Sequence, residues 1–102
     1  MIRKRLRAVD GLVERFEYIA RAHPGAAVRF VDAVESTLKT LEKMPGLGRP
    51  WGARGTPLGQ VRVRAVTGFE SYRLYYRAIS GGIEWIAIRH AAQDEPETLE
   101  DQ

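Results

Sequence analysis

The sequence predicts one α+β domain: an N-terminal strand, an antiparallel helical hairpin and a mainly antiparallel sheet, in the order β-α-α-β-β-β, with an acidic C-terminal tail. Two consecutive apolar stripes at three- and four-residue spacing predict the hairpin. Three later segments rich in β-branched and aromatic residues predict the sheet, and Gly81 and Gly82 supply a tight turn between the last two. A length of 102 residues suits a single domain, placed at residues 1–94, with a tail at 95–102 that has room for a short helix.

Each element has its own signal. Ile2 to Leu6 is short and partly alternating, which reads as an edge strand whose arginines discourage edge-to-edge aggregation. Asp10 occupies the expected N-cap of the first helix. Leu12, Val13, Phe16, Ile19 and Ala20 form that helix's stripe, and His23, Pro24 and Gly25 end it, because a residue before proline disfavours helical backbone. Ala27, Phe30, Val31, Val34, Leu38 and Leu41 form the second stripe, running to about Met44. Pro45 to Gly59 holds three prolines and five glycines and no apolar period. A loop of that kind is expected to be functional or a cover, with Trp51 packing back onto the body. Strands are expected at residues 60–66, 71–79 and 83–90, with Thr67 to Glu70 linking the first two. On the middle strand Tyr72, Leu74, Tyr76 and Ala78 face one way, and Arg73, Tyr75, Arg77 and Ile79 the other. The last strand is apolar on both sides, Ile83, Trp85 and Ala87 against Ile86 and Ile88, which predicts a central position covered on both faces.

Composition narrows the function. A hydrophobic fraction of 44% with 28% charged residues is that of a folded globule. The chain has no cysteine, which excludes disulfides, thiol catalysis and thiolate metal sites. Met1 to Arg7 is charged where a signal peptide would begin its apolar stretch, and no apolar run approaches the roughly 20 residues that span a bilayer. A cytoplasmic protein without a membrane partner is expected. The formal net charge of +3 conceals an asymmetry. Residues 94–102 carry five acids and no base, so the rest of the chain holds all 16 Lys and Arg against eight acids, a net of +8. A body that basic suits a polyanion or an acidic protein partner, and a tail folded back on it would weaken any anion site.

An ordered set of residues carries a family resemblance. Leu12, Tyr18, Ile19, Ala20, Pro24, Ala27, Phe30, Leu38, Leu41, Pro45, Gly48 and Arg49 resemble the first half of ParE-type toxins. The run from Tyr72 to Arg77, followed by Ile86, Ala87, Ile88, Arg89, His90 and Asp94, resembles their last two strands and end. The chain is thus similar, from about Leu6 to Asp94, to the RelE/ParE superfamily of type II toxin–antitoxin toxins, and closer to its ParE-like, plasmid-stabilisation branch. The resemblance implies a growth-arresting toxin held inactive in a complex with a cognate antitoxin. RelE-like members cut messenger RNA in the ribosomal A site, whereas ParE-like members are associated with poisoning DNA gyrase and have no known active site.

Metal-independent RNA cleavage needs a base, an acid and cations beside the phosphorane. Only His23 and His90 titrate near neutrality, and His23 is read as an exposed turn residue. His90 is the candidate acid or base, with Arg73, Arg77 and Arg89 as phosphate ligands; its alternative role is to anchor the C-terminal segment. Ribonucleolytic relatives place a tyrosine just after the last strand, but Ala91 and Ala92 follow His90 and no tyrosine follows Tyr76. No lysine follows Lys43, and Arg62 and Arg64 can replace a lysine's charge but not its proton transfer. These departures, with the long hairpin, favour a non-catalytic gyrase-binding toxin over a ribosome-dependent mRNA endoribonuclease. Arg62, Arg64, Arg73, Tyr75, Arg77 and Arg89 are the candidate partner- or anion-binding residues. Their mix of cations and an aromatic also suits a non-catalytic RNA-binding module. No metal or cofactor is expected, because two separated histidines lack a carboxylate cluster and no glycine-rich loop opens a helix.

Overall fold

Arg5 is where strand hands over to helix. Its N–H donates to the Trp85 carbonyl at 3.0 Å, the last rung of a short ladder, while its own carbonyl accepts from Ala8 and Val9 at 3.0 and 3.1 Å. The computed structural model, which describes residues 1–52 and 60–91, accordingly has β1 at Ile2–Lys4 and α1 at Leu6–Ala22. Arg5 is therefore the N-cap, and Asp10, expected to cap, lies exposed one turn inside the helix. The earlier start follows from β1, which ends at Lys4 and leaves no room for a loop. His23 separates α1 from α2, Pro24–Lys43, and Pro24 takes a first-turn position where its missing N–H costs nothing.

A single 3₁₀ turn, Pro45–Leu47, leads to β2, Arg49–Trp51. No apolar alternation marks this strand, and Pro50 cannot donate to a ladder. An edge position tolerates it, and β2 pairs antiparallel with β3, Val61–Val66, in the register Arg49 with Val63 and Trp51 with Val61. The remainder of the expected loop, residues 53–59, and the acidic tail with its expected short helix lie outside the described residues. Thr67 and Gly68 turn β3 into β4, Phe69–Ile79, and Ser80 and Gly81 turn β4 into β5, Gly82–His90. Both turn glycines adopt positive φ, +87° and +81°, which other residues enter only with strain.

The five strands form one sheet in the order β1-β5-β4-β3-β2, antiparallel except for the parallel β1–β5 pair. The last strand is thus interior, and β4 takes the centre. Both helices pack on one face. Phe30, Val34, Leu38 and Leu41 of α2 meet Tyr72, Leu74 and Tyr76 of β4 and Ile83, Trp85 and Ile88 of β5, with Leu12 and Ile19 of α1 partly buried beside them. Val13, counted in the first stripe, is half exposed instead. Thr37 Oγ1 donates to Ala33 O and accepts from Thr67 N–H, pinning α2 to the β3–β4 turn. A second cluster, Trp51, Val61, Val63, Tyr75, Ile86 and Ala87, occupies the opposite face. Ile86 is the extra residue of a bulge, since Tyr75 pairs with Ala87 and Tyr76 with Trp85. The bulge reverses the expected sides after Trp85, placing Ile88 with the helices and Ala87 away from them. No helix among the described residues is long and apolar enough to cross a membrane.

Candidate functional site

The sheet face turned away from the helices has two electrically different ends. At one end Glu84, 6% exposed, accepts from Arg77 Nε at 2.7 Å and from an Arg5 guanidinium nitrogen at 3.2 Å. Burial is the largest single influence on this carboxyl and raises its pKa. The two arginine hydrogen bonds together outweigh it and hold the group below the ordinary carboxylate range. Arg77 is thereby spent within the fold.

The other end gathers cationic side chains. The paired row Ala65, Arg73 and Arg89 crosses β3, β4 and β5, and Arg49 stands in the neighbouring row beside Val63, Tyr75 and Ala87. The sheet is also open there on both sides. β2 covers β3 only as far as Val63, and β1 covers β5 only as far as Trp85, among the described residues. Beside the uncovered part of β3 is a groove of about 510 Å³ lined by Arg49, Arg64 and Arg73, the apolar Leu47, Val63 and Ala65, and one acid, Glu70. Beside the uncovered part of β5 is a second, of about 490 Å³, between that strand and α1. Arg7, Arg15 and Arg89 line it, with Asp10 and Glu14 also present. The Arg89 pKa is lowered, first by burial and then by repulsion from Arg15 and Arg7, against an opposing pull from Tyr75.

The candidates named from sequence separate along these lines. Arg73, Tyr75, Arg77 and Arg89 share the outer face. Arg62 and Arg64 lie opposite Tyr76 and Leu74, on the helix side. There Arg62 donates to the Gly48 carbonyl at 2.7 Å, and Arg64 to the Leu47 carbonyl at 3.4 Å. Tyr76, whose buried hydroxyl donates to Pro45 O and accepts from Gly48 N–H, completes the clamp on the 3₁₀ turn. His90 pairs with Tyr72 and presents its ring to it at 4.8 Å, so it sits on the side opposite Arg73, Arg77 and Arg89. Tyr75 is 1% exposed, edge-on to Trp51, which leaves its ring no open face for a base. Sequence reasoning missed Arg7, Arg15 and Arg49. The four-residue spacing of Arg7, Gly11 and Arg15 was the available signal, since it puts both arginines on one helix face with a glycine between them.

The arrangement is suited to holding an extended, anionic protein segment: strand edges to pair with its backbone and guanidinium groups to meet its carboxylates. Compared with curated proteins, the chain matches none. Compared with protein families, it matches, over residues 2–95, the one described as ParE toxin of type II toxin-antitoxin system, parDE. With the strand, helical hairpin and five-stranded sheet all lying within those residues, the chain belongs to the ParE toxin family of type II toxin–antitoxin systems.

Proposed function

We propose that this toxin arrests growth by binding DNA gyrase in the cytoplasm, and that its antitoxin neutralises it by laying an acidic, extended or helical segment along the open end of the sheet. The observation that carries this reading is the row of Arg73 and Arg89, with Arg49 beside it, between two uncovered strand edges. A segment entering either groove gains main-chain pairing and charge-assisted hydrogen bonds together. The placement of His90 supports binding over RNA cleavage. General acid–base chemistry requires the proton-transfer group within hydrogen-bond reach of the atom that the cations hold, and His90 faces the helices while Arg73, Arg77 and Arg89 face away. The buried ring of Tyr75 likewise supports protein capture over base stacking.

Purified gyrase provides the test. Micromolar toxin is expected to suppress supercoiling, and equimolar antitoxin to restore it. Unaffected supercoiling, together with A-site cleavage on programmed ribosomes that His90→Ala abolishes, would assign the toxin to messenger RNA instead.

A further inference from the structure

Along the outer edge of the sheet, β2 stops before β3 does. It pairs with β3 through Arg49 and Val63, Pro50 and Arg62, and Trp51 and Val61. Antiparallel pairs alternate between hydrogen-bonded and non-hydrogen-bonded ones, and Pro50 has no N–H to exchange, so its pair with Arg62 is of the second kind. Val61 and Val63 therefore direct their N–H and C=O groups toward β2. Ala65, two residues further on and still in regular register with Arg73 of β4, directs its own toward the same edge. Opposite Ala65 the chain has already left the sheet for the 3₁₀ turn, whose carbonyls Tyr76 and Arg64 hold on the helix side, with Arg62 on Gly48 O. No described residue pairs with Ala65 on that side.

The groove at this edge has two kinds of lining. Leu47, 37% exposed, adjoins Val63 and Ala65, and Arg49, Arg64 and Arg73 add positive charge. Glu70, the acid in the lining, accepts from Gly68 N–H at 2.7 Å and so holds the β3–β4 turn. No salt bridge joins Arg64 or Arg73 to a carboxylate among the described residues. A phosphodiester chain could meet the arginines, but it has neither an amide to pair with Ala65 nor an aliphatic group to cover Leu47. An acidic and aliphatic peptide has all three. The groove between α1 and β5 fits such a peptide less well. Its three arginines face two acids, Asp10 and Glu14, and α1 crowds the strand, since a Cβ on Gly11 would fall 2.9 Å from Ile88 Cγ2.

We propose that the antitoxin's acidic segment binds at the β3 groove as a short added strand, pairing with Ala65, setting carboxylates against Arg64 and Arg73 and covering Leu47 with an aliphatic side chain. This rests on the reading that an acidic segment neutralises the toxin, and it adds the site, the backbone form and the side-chain chemistry. Main-chain pairing supplies affinity for any sequence, while the arginines and Leu47 select among sequences.

A dye-labelled peptide of alternating glutamate and valine tests this against the full chain, followed by amide NMR at about 0.15 M salt, where the screening length is about 8 Å. The Ala65 and Arg73 amide signals are expected to shift, and hydrogen exchange at Ala65 N–H to slow in the complex as a new ladder bond forms. Arg73→Ala should weaken the peptide about tenfold, the loss expected for one charge-assisted hydrogen bond. A peptide with serine in place of valine should bind several-fold more weakly. Equal binding of the serine peptide would overturn the proposal, as would exchange at Ala65 that stays as fast in the complex, since charge alone would then account for the contact. Shifts at Gly11, Arg15 and Arg89 with Ala65 unmoved, and a larger loss from Arg15→Ala than from Arg73→Ala, would also overturn it while leaving the acidic-segment reading in place. Binding at neither groove would remove that reading as well.

Discussion

Glu84 shows how one side chain divides the arginines of this toxin into structural and available ones. It draws Arg5 and Arg77 onto itself and ties the N-cap of α1 to β5 and β4 at one end of the sheet. Glu84→Gln keeps the shape but removes the charge. We expect a loss of about 1–3 kcal/mol, below the cost of breaking a fully buried pair because Arg5 and Arg77 remain partly exposed. The pH dependence has a definite sign. The folded pKa of Glu84 lies below its unfolded value of about 4.3, so its contribution is present above that value and is lost as pH falls through the folded pKa. Denaturant unfolding of wild type and Glu84→Gln should therefore give separated midpoints at neutral pH that converge in acid; a constant separation would exclude the carboxylate as the cause. At this scale the sequence was least informative. Arg62, Arg64, Arg73 and Arg77 look alike along the chain, and only packing decides that two cap a turn and one serves a buried acid.

Among the elements, the 3₁₀ turn and β2 depend on a clamp supplied by other strands. The Tyr76 hydroxyl bridges Pro45 O and Gly48 N–H, and a Cβ on Gly48 would fall 2.5 Å from that oxygen. Burial, the largest influence, raises the Tyr76 pKa against the pull of Gly48 N–H, Arg62 and Arg64, so the hydroxyl stays protonated and able to donate. Tyr76→Phe leaves Gly48 N–H unsatisfied, with an expected cost of about 1–3 kcal/mol. Hydrogen exchange should quicken at Gly48 and along β2 more than in β4 or β5; uniform acceleration would mean that the hydroxyl supports the whole fold instead. The helices and the three long strands were legible because each carries a repeating pattern of apolar residues. β2 was not, being three residues long with a proline at its centre, and neither was the bulge at Ile86, because a continuous apolar run conceals a change of side. The N-cap was misplaced at Asp10 because β1 ends earlier than its alternation suggests.

The molecule as a whole is a helical hairpin on one side of a sheet whose other side is neutralised at one end and cationic and open at the other. That polarity was half visible in the sequence. A body of +8 and a tail of −5 were countable, but the meeting of Arg7 and Arg15 with Arg89 depends on α1 folding back across β5, a contact between residues some eighty positions apart. The same polarity yields the decisive comparison, between two surface variants in the gyrase supercoiling assay. Reversing the cationic end with Arg73→Glu and Arg89→Glu is expected to abolish inhibition by the toxin, while His90→Gln leaves inhibition at the wild-type level, with circular dichroism confirming that both remain folded. Inhibition that survives the charge reversal but is lost with His90→Gln would contradict the account.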